Sequence, residues 1–105
     1  MQENLTPRLE IALKRGGPAL HEIIRTLDAQ GFSQLEILDA FYRLWDKLRE
    51  EDRETEEDTV SNEIDMIVGW CSPHLRHEFA RPYTKEEYDR YMKQRANRWK
   101  GKISL

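Results

Sequence analysis

At 105 residues and 12.6 kDa, the chain has the length of one domain and no room for a second core. Leu, Ile, Val and Phe number 11, 7, 2 and 3, just above the roughly one-fifth share below which chains stay disordered, and the net charge is only −3. A folded, small-cored chain is expected. The longest apolar run, around Ile67 to Cys71, falls far short of the ~20 residues of a transmembrane helix.

Helix signals follow one another along the chain. Thr6-Pro7 reads as an N-cap followed by Pro at the first helical position, and Leu5, Leu9, Ala12 and Leu13 then share a face. Gly16-Gly17-Pro18 ends that helix. A second carries Leu20, Ile23, Ile24 and Leu27 on one stripe, with Gly31 as its stop.

The third helix has the strongest signature. Ser33 and Glu36 have capping-box spacing, flanked by Phe32 and Ile37 at the staple positions. Leu35, Ile37, Leu38, Phe41, Tyr42, Leu44, Trp45 and Leu48 fill an arc of about 180°, while Glu36, Asp39, Ala40, Arg43, Asp46 and Lys47 fill the other side. So wide an arc serves two neighbours, which makes this the expected central helix.

Residues 49–58 (REEDRETEED) read either as a solvated extension of that helix or as a loop. Val60, Ile64, Ile67, Val68 and Cys71 then define a fourth helical face ending near Ser72-Pro73, with Asp58 or Thr59 as its cap. A last helix opens at Thr84 with a second capping box, Thr84 and Glu87, and a second staple, Tyr83 and Tyr88. No stretch alternates at period two. The expected fold is all-α, a four-helix domain centred on the Ser33 helix with a semi-independent C-terminal helix. Residues 1–80 form the core unit, and 81–105 a basic helix and tail belonging to the same domain or swapped between two copies.

Charge is distributed unevenly. Residues 49–58 hold seven acids and two bases, net −5, whereas residues 80–105 hold eight bases and three acids, net +5. The acidic strip, Glu50, Glu51, Asp52, Glu54, Glu56, Glu57 and Asp58, suits the steering of a basic protein partner. Its bland counterpart is a solvated connection without a partner. Tyr42, Trp45, Trp70, Tyr83 and Trp99 are residue types that dominate contact surfaces, though a helical core uses the same types.

The basic end offers a nucleic-acid alternative, with Arg90, Lys93, Arg95, Arg98, Trp99 and Lys100 interleaving cations and aromatics. Against it, Tyr88, Tyr91, Met92 and Trp99 have the spacing of a packing face, and the sequence pI is near 5.6. The +5 tail is also free to dock on the −5 strip, of its own chain or of a second copy in a homodimer.

Cys71, His74 and His77, beside Glu78, are zinc-ligand types in one turn, but no second ligand cluster accompanies them and Pro73 interrupts helical geometry. The preceding Gly69-Trp70-Cys71-Ser72-Pro73 stretch is distinctive but matches no chemistry. A lone His21 reads as a surface or hydrogen-bonded core histidine. No phosphate-binding glycine loop and no selectively perturbed carboxylate pair is apparent. One cysteine cannot make an intramolecular disulfide, and Met1–Pro7 has neither the basic nor the apolar region of a secretory leader. The expectation is a cytoplasmic, non-enzymatic interaction protein without a cofactor.

Overall fold

Each apolar stripe becomes a helix, and the helix that follows Ser33 becomes the surface on which three others pack. The computed structural model describes residues 5–68 and 79–103, with side chains through residue 96. The helices are α1 (Thr6–Arg15), α2 (Gly17–Ala29), α3 (Gln34–Glu50), α4 (Glu54–Val68) and α5 (Lys85–Ile103), with no strand among the described residues. The class is all-α.

Ser33 caps α3 through the expected reciprocal box: its hydroxyl accepts from the Glu36 N–H while the Glu36 carboxylate accepts from the Ser33 N–H. Ile37, Leu38, Phe41, Leu44 and Leu48 are fully buried, and α1, α2 and α4 all pack on this helix. Each such side chain contributes about 1.5–3 kcal/mol on leaving water. Ala40, assigned by spacing to the polar side, is buried as well. Ala40 and Lys47, two turns apart, share the side of α3 that meets α1, where Lys47 pairs with Glu10, while α5 attaches further round the helix at Asp39 and Asp46.

The start of α1 differs from expectation. Leu5, not Thr6, holds the N-cap position, and no side chain caps the helix. Leu5 is buried with Leu9, Ala12 and Leu13, and its carbonyl accepts from the Leu9 N–H. Burial of a leucine outweighs a side-chain cap, typically ~1 kcal/mol. Gly16, at φ 112°, ends α1 and precedes α2 directly.

Two helices end in the same six-residue hydrogen-bond pattern. After α2, the Phe32 N–H donates to the Leu27 carbonyl and the Gly31 N–H to that of Asp28, with Gly31 at φ 96°. After α3, the Arg53 N–H donates to Leu48 and the Asp52 N–H to Arg49, with Asp52 at φ 55°. These are Schellman turns, which need a left-handed residue at the second position past the helix. Gly31 is the residue type suited to it, whereas Asp52 accepts backbone strain.

That second turn corrects the reading of residues 49–58. They are neither one solvated extension nor a loop: α3 runs to Glu50, the chain turns at 51–53, and α4 begins at Glu54. Asp58 and Thr59 therefore lie inside α4 and do not cap it. Glu54, Glu56 and Glu57 occupy its first turn, where carboxylates favour the positive end of the helix dipole.

Between residue 79 and α5, a short strap crosses the α2–α3 turn. The Ala80 N–H donates to Asp28 (3.0 Å), and the Arg81 guanidinium to the Gly31 carbonyl (2.8 Å). Gln34 joins three segments: its backbone N–H reaches the Arg81 carbonyl, its side-chain amide donates to Ile67 at 2.7 Å, and its side-chain oxygen accepts from the Tyr83 N–H. The Thr84–Glu87 capping box is present, and the Tyr83 and Tyr88 rings lie 5.3 Å apart.

The two Schellman turns respond oppositely to substitution. No atom crowds a methyl group at Gly31, so Gly31→Ala incurs only the left-handed penalty and lowers stability by about 1–2 kcal/mol. Asp52→Gly relieves that penalty and raises stability by several tenths of a kcal/mol, after the added unfolded-state entropy. Urea unfolding followed by circular dichroism measures both.

Candidate functional site

The acidic corner is built by the end of α3, the 51–53 turn and the first turns of α4. Two arginines inside the strip neutralise part of it. Arg53 donates to Glu51 at 2.8 Å and grips Glu56 with both Nε and a terminal nitrogen, and Arg49 lies 3.6 Å from Glu57. The hydrogen bonds from Arg53 hold the Glu56 carboxyl below its usual range. Glu50, Asp52, Glu54 and Asp58 are exposed. Among the described residues, Asp52, Glu54 and Asp58 take part in no ion pair. Glu54 and Asp58 stand one helical turn apart on one face of α4, so their charges repel and project together.

The basic end is arranged quite differently. Arg95 is 6% exposed, its two terminal nitrogens bonded to both Asp46 oxygens at 3.0 and 3.1 Å. Its guanidinium lies 4.0 Å from the Tyr42 ring centroid, and Arg49 lies 4.8 Å from that of Trp45. Four residues earlier, the Tyr91 hydroxyl donates to Asp39 at 3.0 Å. The stripe of Tyr88, Tyr91, Met92 and Arg95 thus faces α3.

Arg95 is accordingly committed to a carboxylate of its own chain, while Arg90 and Lys93 are exposed. Arg98, Trp99 and Lys100 belong to α5, but their side chains lie outside the described residues. Cys71, His74 and His77, with the Gly69–Pro73 stretch, also lie outside them. Among the described residues, no group of three metal-ligating side chains comes together.

A cavity of about 520 Å³ opens between α3, the strap and α5, lined by Phe32, Glu36, Asp39, Arg43, Tyr83 and Tyr91 among others. Its charged groups have structural duties. Glu36 and Glu87 cap helices, and Asp39 accepts from both Tyr91 and Arg43, the latter at 2.8 Å. Burial pushes the Tyr83 hydroxyl up to about 12 and raises that of Tyr91, away from any acid–base role near neutrality.

Asp39 and Asp46 had no place in the sequence reading as anchors, although their seven-residue spacing sets them on one face of α3. That signal becomes legible only once a cation and a hydroxyl from a distant helix face it. Family models, curated proteins and solved structures yield no match to this chain.

Removing the Arg95 charge while keeping its apolar reach should leave Asp46 without its partner. Arg95→Met is expected to lower stability by about 2–4 kcal/mol. Hydrogen exchange should show the loss of protection beginning in α5; uniform loss across all helices would contradict the local role.

Proposed function

We propose that the chain is a non-enzymatic protein–protein interaction module of the cytoplasm, presenting its acidic corner to a partner with a basic surface. One observation carries this reading. After Arg49 and Arg53 have taken Glu57, Glu51 and Glu56, the carboxylates of Asp52, Glu54 and Asp58 still point outward without ion-pair partners among the described residues. A basic surface relieves the Glu54–Asp58 repulsion and is steered by the local field before contact.

The paired acids would have a separate task. Arg53 and Glu56 brace the turn from which the outward carboxylates project. Substitution of Glu56 therefore mixes a binding effect with a local structural one, whereas Asp52, Glu54 and Asp58 test the contact itself. The alternative contact, nucleic acid on α5, loses Arg95 to Asp46 and draws less support.

Affinity capture with the intact chain, followed by mass spectrometry, is the direct test. A basic partner should be retained by the wild-type chain, and its association rate should fall at least tenfold, in a salt-dependent way, for the Asp52→Lys, Glu54→Lys, Asp58→Lys triple variant. An identified partner that binds the triple variant with unchanged kinetics would overturn the reading.

A further inference from the structure

Glu63 belongs to α4, the helix that opens in the acidic corner, but not to its surface. Its side chain is 9% exposed on the inner side of α4, and one oxygen lies 3.2 Å from Nδ1 of His21 on α2. Glu63 stands one turn before the core residue Ile67 and three residues after Val60, both fully buried. A carboxylate in that position loses its hydration, and an imidazole is its partner across the α2–α4 seam.

We propose that His21 and Glu63 form a proton-operated clamp between α2 and α4, closed when the pair holds a proton and loosened when it does not. With one proton, the pair is either an imidazolium–carboxylate ion pair or a neutral hydrogen-bonded pair. Both states satisfy the buried oxygen without leaving a net charge. Removal of that proton leaves a negative carboxylate in the seam, facing a neutral ring.

The surroundings are consistent with this role. Desolvation raises the Glu63 carboxyl above its ordinary value, and His21 opposes that rise by charge and hydrogen bonding. Among the described residues, no charged group of α1 or α3 contributes to the shift. On α2 itself, Glu22 and Arg25 share a shallow surface depression with His21, together with Pro18, Thr26 and Ala29. They present one charge of each sign at the solvent side.

The sign follows from proton linkage. A carboxyl raised in the folded state keeps its proton to higher pH than in the unfolded chain, so folding is favoured on the acid side and this advantage fades as pH rises through the folded value. Pairing of Glu56 with Arg53 acts oppositely, but only as pH falls below the usual carboxylate range. Among the described residues with a shifted carboxyl, Glu63 is the one whose protonation favours folding from above the ordinary carboxylate range. What it governs is the seating of α4 on α2, whichever partner meets the acidic corner.

Thermal unfolding of the intact chain and of two variants tests the clamp. As pH falls from 7.5 towards the ordinary carboxylate range, the wild-type midpoint should gain a few °C over that of Glu63→Gln, and this gain should be larger in His21→Gln, where the carboxyl loses the group that opposes its rise. Carbon NMR of the Glu63 side-chain carboxyl gives a reading that does not depend on global stability. Its titration should lie above the ordinary value near ~4.3 and move higher still in His21→Gln. Equal pH slopes in all three proteins, or an ordinary Glu63 titration that ignores the His21 substitution, would overturn the proposal.

Discussion

The wide apolar arc of α3 is the constraint from which the remaining structure follows. A chain with few large apolar side chains must concentrate them, and α3 buries Ile37, Leu38, Phe41, Leu44 and Leu48 completely. Its neighbours α1, α2 and α4 use that arc. The side left over would ordinarily face water, yet α5 occupies part of it. There α3 offers carboxylates, so α5 is attached by a buried arginine and a tyrosine hydroxyl in addition to apolar contact. An apolar helix face and a polar helix face thus recruit different kinds of neighbour.

The same distinction sorts the charges. Net values of −5 and +5 suggest attraction between the middle of the chain and its C-terminal end, but the described contacts are more local. The strip pairs its acids with its own Arg49 and Arg53, and Arg95 pairs with Asp46, just outside the strip. Exposed pairs contribute little because water and salt screen them. The Arg95–Asp46 pair differs in being bidentate, shielded and stacked on Tyr42, so its geometry is fixed. Position relative to solvent matters more here than the sum of charges.

Partial self-neutralisation also gives the proposed interaction surface its shape. Arg53 binds Glu51 and Glu56 on either side of the turn, joining the end of α3 to the start of α4. The outward carboxylates are then carried by a braced corner and not by a flexible run of acids. Glu63, further along α4, shows the opposite treatment of the same residue type: buried, and answered by a histidine from another helix.

Local chemistry determined the elements that were legible from the residues alone. Ser33 with Glu36 and Thr84 with Glu87 cap helices through bonds spanning three residues, and the stripes of α1, α2 and α3 need only helical periodicity. The start of α4 was misplaced because seven acids in ten residues resemble a solvated segment, whereas two arginines and the helix dipole accommodate them in an ordered corner. Ala40, Asp39, Asp46, Gln34 and the His21–Glu63 pair acquired their roles only in the tertiary structure. Their partners lie 33 to 52 residues away in the chain, or on a helix packed from elsewhere, and no short-range pattern encodes such a meeting. The sequence by itself thus determined an all-α chain with one dominant helix and two oppositely charged segments. Tertiary packing decided which charges remain at the surface, because burial turns a carboxylate from a solvated group into one that must find a specific partner.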